Sequence, residues 1–282
     1  MEPLLEVKDL TVNFTGRTGR GRLRKNEEGK AGDMERMVYR QGEKAFTAVD
    51  SVSFRLYPHE VIGIVGESGS GKSTVARAVT RLLDVSSGEI FLNGREITQA
   101  KGSARREIYR RIQMVFQSPA ASFDPRRKLG DSIGESLKNS GMPGREIREE
   151  VNRLLRQCGL PEEYMDRYPH EVSGGECQRA AIARALAIRP EILVCDEATS
   201  ALDVIVQKQI MDLLAELKEE YGMSYLFISH DLALVQDFCD RVIVMYNGKV
   251  AEEGKTDEVI MNPRNAYTRR MIEAGLNISD VG

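Results

Sequence analysis

Apolar and polar residues alternate along "LLEVKDLTVNF" (Leu4 to Phe14) and again along "FTAVDSVSFRL" (Phe46 to Leu56). A period of two is what a strand with one buried face produces, so the two segments are predicted to pair as half-buried strands. Shorter apolar runs follow: "VIGIVG" (Val61 to Gly66), "RIQMVFQ" (Arg111 to Gln117), "EILVCDE" (Glu191 to Glu197) and "MSYLFISHD" (Met223 to Asp231). Their length and bounding residues favour strands, buried where the run is unbroken. Helical patterns lie between them, at "KSTVARAVTRLL" (Lys72 to Leu83), from Asp131 to Cys158, within "VSGGECQRAAIARAL" (Val172 to Leu186) and at "DVIVQKQIMDLLAELKEEY" (Asp203 to Tyr221). In the second of these, Ile147, Val151, Leu154, Leu155 and Cys158 recur at helical spacing on one face. Segments 87–97 and 241–254 read as hairpins turning on Asn93-Gly94 and Asn247-Gly248. Strands alternating with helices predict an α/β fold with a mostly parallel sheet, antiparallel strands at its flanks and a separate helical subdomain at about 122–172.

The stretch 15–45 breaks the pattern. It is rich in Gly, Arg and Lys with almost no apolar periodicity, and reads as a mobile basic insertion between the first two strands. A solvated loop is the plain reading; contact with anionic lipid headgroups or a partner is the alternative. The 282 residues, 41% hydrophobic and 29% charged, are ordinary for a globular protein. A net charge of −3 argues against a surface that tracks nucleic acid throughout, although a local basic patch would be compatible with it. Cys158, Cys177, Cys195 and Cys239 have neither C-x-x-C spacing nor histidine pairing, which disfavours a zinc site or a disulfide framework. No apolar run approaches the length of a membrane span. The chain is therefore expected in the cytosol, or docked on a membrane through another protein.

The chemistry concentrates at strand ends. "GESGSGKS" (Gly66 to Ser73) fits the G-x-x-x-x-G-K-[ST] phosphate loop, after a strand and opening a helix. Its backbone N–H groups would converge on phosphate oxygens, which side chains at Gly69 and Gly71 would obstruct. Lys72 offers a point charge to the β- and γ-phosphates and Ser73 an oxygen to Mg²⁺, at the positive end of the helix. Gly66, Ser68, Ser70 and Thr74 complete the loop's candidate nucleotide-binding set. Asp196 and Glu197 close a buried strand, where Asp196 can hold Mg²⁺ through water and Glu197 can activate the attacking water. Gln117 and His230 each follow a strand, and neither residue type would count by itself. His59 and His170 take a structural reading.

In this order, "GESGSGKS", "FQSP" with Gln117, "VSGGE", "ILVCDEATSALD" and "ISHD" with His230 resemble the ATPase subunits of ABC transporters, from Leu4 to about Ala274. The resemblance implies a single domain over 1–275: a P-loop, RecA-like core, an antiparallel β part at about 4–60 and 87–97, the helical insertion, and a short extension over 255–282. It implies ATP and Mg²⁺ as cofactors. Gln117 would sense the γ-phosphate through the metal or water, and His230 would help hold Glu197 and the water. Asp203 would belong to a loop crossing the subunit interface. Ser173, Gly174 and Gly175 would close over a nucleotide held by a second ATPase subunit packed head to tail.

The family signature is commonly LSGGQ, so Val172 and Glu176 depart from it, and an added carboxylate beside the phosphates is expected to weaken the closed dimer modestly. Phe14 is the expected adenine-stacking aromatic, with Tyr39 and Phe46 as rivals. "FQSPAASFDPR" and "NPRNAYTRRMIEA" are similar to the ATPases of peptide and nickel importers. Such systems pair two ATPase chains with two membrane permeases and an extracytoplasmic binding protein, which places this chain peripherally on the cytoplasmic face of the cell membrane. No cysteine follows Cys239, so no iron–sulfur cluster is expected in the tail. The alternative is a soluble ATPase of the same type acting on nucleic acid or ribosomes, favoured only by the basic insertion.

Overall fold

The computed structural model describes residues 2–14, 46–200 and 202–279; the basic insertion read at 15–45 and its Tyr39 lie outside the described residues. Strands β1 (Leu5–Phe14) and β2 (Phe46–Leu56) pair antiparallel, as their alternation predicts. The alternation is interrupted by register shifts after Val7 and Leu10, where Asp9 and Ser51 take left-handed backbone. After β3 (Val61–Val65) and helix α1 (Lys72–Val79) come β4 (Ser87–Leu92) and β5 (Arg95–Glu96), joined at Asn93-Gly94. β4 adds to β1, which completes a four-stranded sheet in the order β2-β1-β4-β5.

α1 is shorter than the helix read at 72–83. Its end is a Schellman closure: Arg81 N–H reaches the Ala78 carbonyl at 3.0 Å and Leu82 N–H the Arg77 carbonyl at 2.9 Å. The left-handed position in that closure, usually glycine, is filled by Arg81 at φ 58°, so the sequence carries no glycine to mark the stop.

Helix α2 (Ser103–Arg111) leads into β6 (Ile112–Val115), which ends two residues before Gln117 and leaves that residue in a loop. The single helical pattern read from Asp131 to Cys158 is three helices: α3 (Leu129–Ile133), α4 (Glu135–Asn139) and α5 (Gly144–Gln157). Gly141 at φ 88° and Pro143 separate the last two. α6 (Gly174–Leu186) follows, then β7 (Ile192–Asp196), α7 (Val204–Tyr221), β8 (Ser224–Ile228) and α8 (Leu232–Phe238). The hairpin β9 (Arg241–Tyr246) and β10 (Lys249–Lys255) turns at Asn247-Gly248, before α9 (Thr256–Met261) and α10 (Ala266–Ser279).

The second sheet runs β10-β9-β3-β8-β7-β6, parallel except for the β9–β10 edge pair. β3, β7 and β8 are buried throughout, because both faces of this sheet are covered. Val61 and Val65 join Leu193, Cys195, Tyr225 and Phe227 in one core with α5, α6 and α7. Ile62 and Ile64 join Ile192, Val194, Leu226 and Ile228 in the other, shared with α1 and the four-stranded sheet. With its strands locked between two cores, the sheet presents fixed carboxyl ends, and the candidate residues stand there. The four cysteines are buried and free. No helix among the described residues is long and apolar enough to cross a membrane.

Candidate functional site

The chain leaves β3 at Val65 and forms the loop Gly66 to Gly71 before α1 begins on Lys72. Gly66, Gly69 and Gly71 have φ of 148°, 82° and 102°, a region disfavoured for any residue with a Cβ. At Gly66 a Cβ would stand 2.2 Å from the Met245 carbonyl oxygen, and at Gly71 2.5 Å from that of Ala48. The expectation that a side chain at Gly71 would obstruct phosphate is thus corrected: the space there is filled by β2. Among the described residues, a Cβ at Gly69 would meet no atom within 4 Å. The β9–β10 turn buttresses the loop, since Gly248 N–H donates to the Ser70 carbonyl at 3.1 Å and the Gly248 carbonyl accepts from Asp50 N–H at 2.8 Å.

Lys72 is 5% exposed, and its ammonium donates to the carbonyls of Gly66 (2.7 Å) and Glu67 (2.8 Å). Burial holds its pKa below the ordinary lysine value, although Glu197, Asp196 and Glu67 pull the other way. Ser70 Oγ is buried without a hydrogen-bond partner among the described residues, an orphaned donor aimed within the phosphate motif. Ser68 is exposed, and Thr74 is half-buried on the first turn of α1.

Asp196, the last residue of β7, is 4% exposed and accepts a hydrogen bond from Ser73 Oγ at 2.7 Å. Burial raises its carboxyl pKa, against the Ser73 hydrogen bond and the charge of Arg77. Glu197 stands at φ 49°, and this left-handed step turns the chain out of the sheet. Its Oε2 accepts from Gln117 Nε2 at 2.8 Å and lies 3.8 Å from His230 Nδ1. The loops after β6, β7 and β8 thereby bring Gln117, Glu197 and His230 together. Ser200, which sequence reasoning left unassigned, completes this cluster by donating to the Glu197 carbonyl at 3.0 Å and lying 3.4 Å from Gln117 Nε2. The available signal was a serine three residues beyond the acidic pair, a spacing that closes a turn. The Ser73–Asp196 pair is a hard oxygen set of the kind that suits Mg²⁺.

Among the described residues no hydrogen bond joins Ser173, Gly174 and Gly175 to the loop at Gly66 to Ser73. Ser173 is the N-cap of α6 and is locked in a capping box, its Oγ accepting from Glu176 N–H at 3.3 Å while the Glu176 carboxylate accepts from Ser173 N–H at 2.8 Å. The Tyr164 hydroxyl donates to the same carboxylate. This hydrogen bond, and those from Ser173, hold the Glu176 pKa below the usual carboxylate range. Glu176 is therefore a structural cap, which accounts for a residue that the family pattern left unexplained. At Gly175 a Cβ would stand 2.4 Å from Val206 Cγ1, whereas at Gly174 the nearest atom, Leu202 Cδ2, is 3.7 Å away. Asp203 caps α7, accepting from Val206 N–H at 3.0 Å. Beside it Val204 and Ile205 are 80% and 73% exposed.

Phe14 ends β1 opposite Phe46, and the two rings stack at 5.4 Å. Two of the three candidate adenine aromatics thus form one stacked pair. His170, exposed, stacks on Tyr168, and His59, also exposed, packs against Gly222.

A phosphate-loop strand inside a largely parallel sheet, with an acidic strand end two strands away and an antiparallel second sheet, defines a nucleotide-binding cassette. The ABC transporter family model matches residues 49–200, and the chain belongs to that family. It is 42% identical over 273 residues to the oligopeptide transport ATP-binding protein OppF of Escherichia coli K12, covering 96% of this chain and 77% of OppF. It is 43% identical over 274 residues to the glutathione import ATP-binding protein GsiA of the same organism, covering 97% of this chain but spanning 41% of the length of GsiA. Among solved structures, a dimeric MJ0796 cassette in a post-hydrolysis state with ADP and Pi gives a TM-score of 0.74 at 28% identity, over 89% of this chain and 98% of that one. CbiO1 of Clostridium perfringens, part of the ABC transporter complex CbiONQ, gives 0.74 at 26% identity, over 99% of this chain and 96% of that one.

Proposed function

We propose that this chain is the ATP-hydrolysing subunit of an ABC importer and powers uptake of a small solute of the peptide class. The observation that carries the reading is the convergence of Lys72, Asp196, Gln117, Glu197 and His230 at the carboxyl ends of β3, β6, β7 and β8. The names of OppF and GsiA support import as the process and peptides as the cargo class. In this reading the loop from Gly66 to Thr74 cradles the triphosphate with backbone N–H groups, Lys72 neutralises the β- and γ-phosphates, and the Phe14–Phe46 pair offers a face to adenine. Mg²⁺, held by Ser73 with Asp196 and Gln117, would offset phosphate charge. Glu197 accepts a proton from the attacking water while Gln117 and His230 fix the orientation of its carboxylate.

A second cassette completes the site. Ser173, Gly174 and Gly175 share no hydrogen bond with the chain's own loop, and the start of α6 offers free N–H groups and a positive helix end to a phosphate. Asp203 and the exposed Val204 and Ile205 suit the same partner face, and the related MJ0796 cassette is described as dimeric. Two permeases and an extracytoplasmic binding protein would make up the rest of the importer, with this chain peripheral on the cytoplasmic face of the membrane. The test is to copurify the chain with its permeases, reconstitute them in vesicles, and measure ATP hydrolysis with the binding protein empty and loaded. Stimulation by the loaded form is expected; ATP turnover indifferent to permeases and binding protein would overturn the importer role.

A further inference from the structure

The carboxyl-terminal segment reaches the phosphate loop directly. Tyr267, on the first turn of α10 and 7% exposed, accepts a hydrogen bond at its phenol oxygen from Glu67 N–H, at 3.2 Å. Its ring lies on that of Tyr246, the last residue of β9, with centroids 4.1 Å apart. The segment before α10 is tied to β10: the Glu252 carboxylate accepts from the N–H groups of Arg264 (2.8 Å) and Asn265 (3.1 Å), and Asn265 Nδ2 donates to the Ala251 carbonyl at 2.9 Å. Asn265 Oδ1 in turn accepts from Tyr267 N–H at 2.8 Å, which fixes where α10 starts. Burial opposes ionisation of Glu252, yet these amide donors keep its carboxyl below the usual range.

The peptide that Tyr267 holds is one of the two on which Lys72 rests. A peptide unit is planar, so its N–H and C=O turn together. The N–H of the Gly66–Glu67 peptide goes to Tyr267, and its carbonyl, Gly66 O, takes the Lys72 ammonium at 2.7 Å. We infer that Tyr267 is a positioning residue for the phosphate loop, through which the carboxyl-terminal segment orients the Gly66–Glu67 peptide and sets the resting place of Lys72. The inference rests on the nucleotide-binding role proposed for that loop. A loop ordered in advance gives up less freedom when the triphosphate binds, so releasing the peptide weakens binding.

Tyr267→Phe keeps the ring on Tyr246 and removes the oxygen. In the full-length protein without nucleotide, hydrogen–deuterium exchange of a peptide covering residues 61–74 is expected to quicken. The Kd for ATP and the KM for ATP are expected to rise up to about fivefold, the most that one net hydrogen bond supplies, with kcat within about twofold and a melting temperature lowered by no more than about 4 °C. Glu252→Ala, which loosens the segment away from the nucleotide, is expected to act in the same direction. Unchanged exchange and unchanged affinity in Tyr267→Phe would overturn the inference, as would faster exchange with unchanged affinity. Failure of the unaltered protein to bind ATP would instead overturn the nucleotide reading, while the exchange experiment would still report on the contact between Tyr267 and the loop.

Discussion

Gln117 Nε2 and Glu197 Oε2 stand 2.8 Å apart, so the residue that follows β6 directly holds the carboxylate that follows β7. A general base held this way contributes about 10²–10⁴ to rate. Glu197→Gln is therefore expected to lower ATP turnover at least about 100-fold while ATP still binds and holds two cassettes together. Phosphate release, set beside gel filtration with MgATP, checks both halves; normal turnover in the assembled transporter would remove Glu197 from the role of base.

The mutual cap between Ser173 and Glu176 makes both residues stabilising, while the chemistry proposed for the partner's site falls on Ser173. Glu176→Ala is expected to cost about 1 kcal/mol of stability by loss of the capping box, seen as a lower melting temperature. Ser173→Arg is expected to leave ATP affinity of the chain's own loop unchanged and to abolish turnover at the partner's site. Nucleotide titration of the isolated chain and hydrolysis by the mixed dimer tell these effects apart.

Asp196 is costly to keep ionised. A carboxyl pKa raised in the folded protein means that the folded state holds the proton more tightly than the unfolded chain. Its stabilising contribution is then fully present below the ordinary value of 3.8 and is lost as pH rises through the higher folded value. Asp196→Asn, which can still accept from Ser73, is expected to raise the melting temperature of the metal-free protein at neutral pH and to abolish hydrolysis. Thermal unfolding followed between about pH 4 and 7 provides the measurement.

Gly175 presses on Val206, and that contact can be relieved. Gly175→Ala is expected to destabilise the chain by about 1–3 kcal/mol, as overpacking does, and Val206→Ala in the same chain to recover most of it. Denaturant unfolding of both single variants and the double variant gives the coupling. Additive costs would mean that the helix starts shift apart instead of clashing.

The buried parallel strands and the phosphate loop were legible because unbroken apolar runs and a glycine-lysine spacing are local signals. The end of α1 was not, since Arg81 occupies a left-handed position that glycine would have announced. The hold of Tyr164 on the Glu176 carboxylate was not legible either, because Tyr164 lies in a separate segment whose approach no spacing reveals. Likewise, Gly71 carries the expected residue for a different reason, the nearness of Ala48 on a distant strand. Local chemistry names the site's residues, and contacts between remote segments decide what each one touches.

Gly248 gives that distinction a practical edge. Its N–H binds the phosphate loop and its carbonyl binds β2, so one turn residue ties the loop to both sheets. The loop's curvature is thus not portable: residues 61–80 grafted onto another scaffold would carry the motif's letters without the two abutments that give it shape.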